Sequence, residues 1–242
     1  MSSASPLIPF AATLVALAAV VSGCATTQDA NQRASIQADR TLASREPLAI
    51  HGSDQDVRVA RTSVISGKDG SAVVVVLRNR GTAPVNDLPI ELVKRGGDPL
   101  NARPNVPYFQ SHAPAIAPGA ETSWVYVTKD KIGAGPVYAR LGAPPATAPK
   151  ASDVPKLDVS EAGSDGSEQG SSVVAKVAND TGIPQYGLDV YAVARKGDRY
   201  VAAGRASVAH LGVDESTELT LNLIGDAKGS RIQVYAPPTL FE

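Results

Sequence analysis

The chain has 242 residues, and its 23 basic and 24 acidic side chains leave a formal net charge of −1. A nucleic-acid-binding protein is expected to carry a basic patch, and this composition does not suggest one. Nor does it suggest electrostatic attraction to an anionic membrane surface. Valine, glycine and proline are frequent, whereas aromatic residues make up only 5% of the chain.

The chain begins with an apolar segment, residues 7–21, interrupted only by Pro9 and Thr13. About fifteen residues are fewer than the roughly 20 that a membrane-spanning helix needs. This length suits the hydrophobic part of a secretory signal peptide. The residues that follow, Val21-Ser22-Gly23-Cys24, resemble a bacterial lipobox. The resemblance implies cleavage after residue 23 and a diacylglyceryl group on Cys24, although the segment "MSSASPLIPF" lacks the usual Lys or Arg.

Cys24 is the only cysteine of the chain, so a lipid on its sulfur would remove an otherwise unpaired thiol. A single acyl chain binds a membrane only marginally, and the lipoprotein modification supplies more than one. Ala25 resembles the default signal for the outer membrane in cells with two membranes. In cells with one membrane, the protein would lie on its outer face. A buried thiol or an uncleaved signal anchor are the alternatives.

Residues 24–47 are polar and lack glycine, and they contain few large apolar side chains. Such a segment cannot bury enough surface to offset its conformational entropy. We therefore predict a flexible tether over residues 24–47.

The rest of the chain contains an internal repeat. Residues 71–98 align with residues 171–198 at a constant offset of 100, and ten positions are identical. The alignment resumes between residues 116–127 and 211–222, and again between residues 139–145 and 232–238. This pattern predicts a tandem duplication. The predicted domains are residues 48–145 and 156–242, joined by a Pro/Ala-rich linker over residues 146–155, and each domain is expected to fold alone.

Both copies show the alternation of apolar side chains that is typical of half-buried strands. Positions that stay apolar or uncharged in both copies are predicted to face the core. In the first copy they are Val73, Val75, Leu77, Leu88, Ile90, Leu92, Thr122, Trp124 and Tyr126. Their counterparts are Val173, Ala175, Val177, Leu188, Val190, Ala192, Thr217, Leu219 and Leu221. The predicted fold is all-β, with two tandem β-sandwiches after the signal peptide and tether.

The first copy, "VVLRNRGTAPVNDLPIELV … IAPGAETSWVYV", resembles the CARDB-type domains of bacterial surface proteins. The second, "VVAKVANDTGIPQYGLDVYAVARKGDRYVAAG", is similar to the FxLYD-type domains of bacterial lipoproteins. Both families are immunoglobulin-like sandwiches, so the resemblance implies that fold. Thr181 replaces the glycine found at position 81, and "GVDES" replaces "APGAE". Neither family brings a catalytic residue that could be transferred to this chain.

The sequence offers little catalytic or metal-binding chemistry. His51, His112 and His210 have no metal-ligand spacing, and no GxSxG elbow is present. Residues 52–56 and 161–170 are acidic turns that could in principle hold Ca²⁺, although solvated strand connections are favoured. Trp124 could stack on a ligand, but its repeat partner Leu219 favours a core role. No enzyme, metal or cofactor is predicted.

Two functions of different class remain. The favoured one is a non-catalytic, membrane-tethered lipoprotein of the bacterial envelope that serves as a protein-interaction or structural module. Its partners would be the membrane, through Cys24, and an envelope protein or the cell wall. The alternative is an accessory protein that captures carbohydrate or peptide through a loop of the first domain. Tyr108, Phe109 and His112 are the candidate contacts, because this loop is longer in the first copy and sandwich loops often bind ligands.

Overall fold

The computed structural model describes residues 50, 52, 56–103, 106, 108–144, 150, 154–167 and 170–240. The predicted signal peptide, the whole tether including Cys24, and most of the linker lie outside these residues. Within the described residues, every regular element is a β-strand except for one short 3-10 helix. The all-β prediction is therefore confirmed.

The first copy contains six strands. They are β1 (Val57–Gly67), β2 (Gly70–Asn79), β3 (Leu88–Lys94), β4 (His112–Ala113), β5 (Glu121–Thr128) and β6 (Val137–Leu141), with the 3-10 helix η1 (Tyr108–Gln110) before β4. The strands form two antiparallel sheets in the orders β1-β2-β5 and β4-β3-β6. Between these sheets lies the core that the alternation pattern predicts.

The second copy repeats this arrangement, and three of its strands, β9 to β11, are longer than their counterparts. They are β7 (Asp158–Ser167), β8 (Gly170–Asn179), β9 (Gln185–Lys196), β10 (Arg199–Leu211), β11 (Glu215–Gly225) and β12 (Arg231–Tyr235). Their order in one sheet is β12-β9-β10-β11-β8-β7. Since β10 pairs with β11 only over residues 202–204, this short contact joins two layers, β12-β9-β10 and β11-β8-β7. These layers correspond to the two separate sheets of the first copy.

Two sequence-based expectations need correction. Residues 161–170 were expected to form an acidic turn, but β7 continues to Ser167 and β8 begins at Gly170. The repeat alignment over the last strand is also wrong by two residues, because it matches Ala139 with Ile232. The strand registers instead pair Ala139 with Leu92, and Val234 with Ala192. A shift of two residues leaves each side chain on the same face, so the alternation pattern could not reveal it.

One identity between the copies, Asn79 and Asn179, has a structural reason. The amide of Asn79 donates to the carbonyl groups of Ala83 and Ile116 at 2.9 and 3.1 Å. Asn179 does the same toward Ile183 and Leu211 at 3.0 and 3.3 Å. Both asparagines are fully buried, so each closes the turn after its strand by satisfying carbonyls that would otherwise lack donors.

The predicted core positions are buried, with the exceptions of Thr122, Thr217 and Leu219, which are partly exposed. The alternate face of the β1-β2-β5 sheet is buried as well, which the pattern did not predict. Val74 and Val125 are fully buried and Val76 is 5% exposed. They belong to an apolar cluster that also contains Tyr191, Val193 and Ala203 of the second copy. The outer face of β1-β2-β5 thus packs against the outer face of β9 and β10.

A hydrogen bond and a close approach at a glycine also lie at this interface. The guanidinium of Arg61 donates to the carbonyl oxygen of Asp198. At Gly225, with φ of 106°, an added Cβ would lie 2.2 Å from the carbonyl oxygen of Val201 and 2.8 Å from Cγ2 of Ile65 in the first copy. A side chain there would therefore clash within the second copy as well as with the first.

The C-terminal segment also joins the copies. The carbonyl oxygen of Pro238 accepts a hydrogen bond from the backbone N–H of Ala115 at 3.3 Å. That of Leu240 accepts one from the Asn86 amide at 3.2 Å. Between them, the backbone N–H of Thr239 donates to Gln185 at 2.8 Å. Separated copies would lose these contacts and expose the shared cluster, so independent folding stays a prediction with this interface against it.

Replacement of Val76 by Lys tests the shared interface, because Lys is the residue that the second copy carries at the equivalent exposed position, Lys176. A charge placed in the cluster should lower the free energy of unfolding by at least ~2 kcal/mol. The matched variant Lys176→Val should change it by less than ~0.5 kcal/mol. Urea denaturation measures both. Equal, small effects would contradict burial of Val76 between the copies.

Candidate functional site

Several predicted site residues cannot be placed. Cys24 and His51 lie outside the described residues, as does the side chain of Tyr108. The acidic segment 52–56 is described only at Gly52 and Asp56. Lipid attachment at Cys24 and a role for Tyr108 in binding therefore stay predictions. Phe109 and His112 can be placed on the segment between β3 and β5.

Asn101 holds that segment against the β4-β3-β6 sheet. It is 1% exposed, and its side-chain oxygen accepts from the backbone N–H of Leu92 at 2.8 Å. Its amide donates to the carbonyl oxygens of Ile90 and Gln110 at 2.7 and 3.1 Å. The asparagine thus takes the place of a neighbouring strand along β3, and ties η1 to it.

Trp124 supports the same segment from the core. The indole is 1% exposed, as the core prediction requires, and its N–H lies within hydrogen-bond distance of two backbone carbonyls. They belong to Phe109 at 3.0 Å and His112 at 3.1 Å. Close by, the hydroxyl of Tyr126 donates to the carbonyl of Leu100 at 2.9 Å, and burial raises the pKa of this phenol. The ring of Trp124 is unavailable for stacking on a ligand.

Phe109 and His112 are half-buried rather than fully exposed. The Nδ1 atom of His112 lies 3.2 Å from the hydroxyl of Ser111, and the backbone carbonyl of Ser111 accepts from the N–H of Ile90 at 2.7 Å. These hydrogen bonds therefore hold the segment between β3 and β5 in place. The partly accessible side chains of Phe109 and His112 form a rigid ledge, which could support a contact but does not gather catalytic groups.

The outer face of the β4-β3-β6 sheet is a second candidate surface, which we call the open face. It comprises Pro89, Glu91, Val93, Tyr138 and Arg140, whose side chains point away from the core. Tyr138 is 49% exposed. Glu91 lies directly opposite Arg140 and forms an ion pair with it, although Glu91 is 7% exposed and the arginine side chain 59%.

A shallow depression of about 610 Å³ lies at one end of the open face. Val93, Tyr138, Arg140 and residues 94–97 line it. Lys94 donates to the carbonyl of Gly133 at 2.7 Å, and Arg95 is exposed. The depression therefore combines an accessible aromatic ring with cationic groups, which suits an acidic surface. Sequence analysis missed it because its residues come from two strands far apart in the chain.

A buried ionic cluster lies on the outer face of β9 and β10. Asp189 is 1% exposed, and its Oδ2 atom lies 3.3 Å from Nη1 of Arg205. The hydroxyl groups of Ser207 and Tyr191 donate to the same carboxylate. Burial raises the pKa of Asp189, whereas Arg205 and the Ser207 hydroxyl act in the opposite direction. The single acidic residue in the apolar run "LDVYAVA" could have indicated this cluster.

The described residues contain neither a metal-binding group nor a membrane-spanning helix. No group of three or more His, Cys, Asp or Glu side chains there could hold a metal ion. His112 and His210 lie in different copies, and His210 packs against Tyr186 with 4.8 Å between ring centroids. The described part of the chain also has no helix with the length and apolar character needed to cross a membrane.

Comparison with known proteins gives no relative to guide assignment. No protein-family model matches the chain, and a search of curated proteins finds no match. The resemblance to CARDB-type and FxLYD-type domains therefore stays a prediction.

Truncation of Trp124 tests its role under the loop. Trp124→Ala should lower the free energy of unfolding by ~3–5 kcal/mol, through lost burial and the cavity left behind. Trp124→Phe retains most of the apolar volume but leaves the carbonyls of Phe109 and His112 without their donor, so we expect ~1–3 kcal/mol. Leu219→Ala in the second copy should fall near ~2 kcal/mol, because Leu219 is partly exposed. Chemical denaturation measures all three, and an unaltered stability for Trp124→Ala would contradict the buried position.

Removal of Arg205 tests the ionic cluster. Arg205→Met leaves the buried carboxylate of Asp189 uncompensated, so the free energy of unfolding at neutral pH should fall by ~3–5 kcal/mol. The variant's Asp189 pKa should rise further above that of the unfolded chain. A raised folded-state pKa favours the protonated native state, so this deficit should shrink as the pH falls through that pKa.

Urea denaturation from about pH 4 to about pH 8 measures the pH dependence of this deficit. The control is Arg103→Met, whose partner Asp130 lies 2.8 Å away with both side chains well exposed, and which should cost less than ~1 kcal/mol. A deficit for Arg205→Met that stays constant across the range would show that Asp189 does not titrate there.

Proposed function

We propose that this chain is a non-catalytic lipoprotein of the bacterial envelope, which serves as a protein-interaction or structural module. A lipid on Cys24 holds it at the membrane, and residues 24–47 form a tether between the lipid and the folded part. Residue 25 directs it to the outer membrane in a cell with two membranes. In a cell with one membrane, it lies on the outer face.

One observation supports this proposal above the others. The two copies share an apolar cluster, and the C-terminal segment bridges them, so they pack as one unit. Copies that already pack on each other lose less conformational freedom when a partner binds. Such a design suits a scaffold or a docking module.

The contacts of the buried polar groups also support this proposal. Asn101, the Trp124 indole and the Asn79 amide all satisfy backbone carbonyls. Asp189 is buried and forms an ion pair with Arg205 of the neighbouring strand. These are roles in folding, whereas an enzyme needs polar groups that converge on an accessible pocket. The proposal includes an immunoglobulin-like form for both copies, of the CARDB type and the FxLYD type.

Capture of a carbohydrate or peptide is the second candidate function. Its support is the rigid ledge of Phe109 and His112, because a preorganised loop binds with little ordering entropy. Half-burial leaves these two side chains less contact area than an exposed aromatic cluster would have. We therefore place it second.

Replacement of Cys24 by Ala tests the anchor. Without a sulfur at this position, the chain cannot receive the diacylglyceryl group and should not be cut before residue 24. Metabolic labelling with a fatty-acid analogue should label the native chain and not the variant. Thr26→Ala, outside the motif, is the control and should keep its label. Equal labelling of Cys24→Ala would refute the lipoprotein proposal.

A pull-down experiment tests the interaction part of the proposal. The native chain, solubilised from the envelope in detergent, serves as bait beside a Tyr138→Glu variant. Loss of a specific envelope protein with the variant would support docking at the open face. Recovery of nothing with either bait would contradict an interaction module while leaving the anchor result unaffected.

A further inference from the structure

The interface between the copies shows how one such sandwich packs on another. The first copy contributes the outer face of β1-β2-β5, and the second contributes the outer face of β12-β9-β10. The repeat supplies each copy with both kinds of face, so one of each is left without a partner among the residues that the structure describes. These are the open face of the first copy and the outer face of β11-β8-β7, which we call the rear face. The rear face comprises Val174, Lys176, Glu218 and Thr220.

The unused faces differ from the used ones at corresponding positions. Lys176 and Glu218 of the rear face replace Val76 and Ser123 of the packed face. On the opposite side, Glu91 and Arg140 of the open face replace Tyr191 and Tyr235. Each replacement introduces a charge, and each of the two faces gains one acid and one base.

The positions of these charges are complementary. In the interface, Tyr235 lies against Ser123, whose hydroxyl opposes the rise in the tyrosine pKa that burial causes. If a rear face packed on an open face in the same way, Glu218 would meet Arg140. Glu91, directly opposite Arg140, is 7% exposed and already paired with that arginine, so the contact between molecules depends on Glu218 and Arg140.

We propose that the chain associates head to tail with a second copy of itself, with the rear face of one molecule on the open face of the next. Around the pair of Glu218 and Arg140, Val174 and Thr220 of one molecule contact Val93 and Tyr138 of the next. Lys176, Glu218 and Thr220 are exposed, and so are Tyr138 and Arg140. The interface within the chain is thereby continued between chains.

Such a contact uses different surfaces on the two molecules, so it does not close into a two-fold dimer and can extend into short chains. Partly exposed ion pairs contribute little each, and salt screens them. The association is therefore weak in solution and favoured where molecules are crowded side by side. It does not depend on the lipid anchor.

Exchange of charges across the contact tests this proposal. The chain from residue 24 onward, carrying Cys24→Ser, is studied by sedimentation equilibrium at low salt over a wide range of concentration. The mean mass should rise with concentration. Arg140→Glu alone and Glu218→Arg alone should each weaken association at least about tenfold, because like charges then meet. The double variant Arg140→Glu/Glu218→Arg should recover most of the native association.

The other outcomes each overturn the proposal. A monomer at every concentration would mean that the polar end faces prevent stacking, as terminal caps do in repeat proteins. Loss of association with Arg140→Glu but not with Glu218→Arg would indicate a symmetric contact of two open faces. Failure of the double variant to associate, with an unaltered thermal unfolding midpoint, would show that Glu218 and Arg140 do not meet.

Discussion

Strand β2 is buried on both faces, and the arrangement of the whole molecule depends on this constraint. The inner face of its sheet packs on the β4-β3-β6 sheet, and the outer face packs on β9 and β10 of the second copy. A strand in this position must be apolar on both sides, which explains the run of valines at residues 73–76. The two copies are consequently in direct contact, and their independent folding stays a prediction. Any surface available for a partner must lie elsewhere, on the open face, the rear face or the loops.

The ionic cluster of Asp189 and Arg205 lies within the second copy. The partners of the buried carboxylate, Arg205, Ser207 and Tyr191, all come from β9 and β10. Ser207 lies directly opposite Asp189, and Arg205 directly opposite Tyr191, so a shift in the register of these strands would leave the carboxylate without its partners. Burial raises the pKa of Asp189, so the group is held in place at the expense of its solvation. We regard specificity of the β9-β10 register as the role of this cluster.

The sequence predicted the strands and most core positions, since alternation in both copies reports the face that each copy buries within itself. It could not predict the face buried between the copies. Val76 is apolar and Lys176 is charged, and such a difference between the copies predicts a position outside the core. For Val76 that prediction is wrong, because its side chain is buried against the second copy. The open face was missed for a related reason: Arg140 and Glu91 are opposite each other only once the register of β3 and β6 is known.

The exchange of Leu219 for Trp124 can be explained by what lies beside each residue. In the second copy, the long strand β10 pairs with β9 along its length, so its backbone groups have ladder partners. The first copy has only the two-residue strand β4 there, and an irregular segment occupies the remaining space. Irregular backbone over a core leaves carbonyls without donors, and a leucine could not serve them. The indole N–H of Trp124 provides a donor within reach of two such carbonyls, and the amide of Asn101 donates to two more. The tryptophan thus compensates for the loss of a strand, and the element that it holds in place is the loop of the second candidate function.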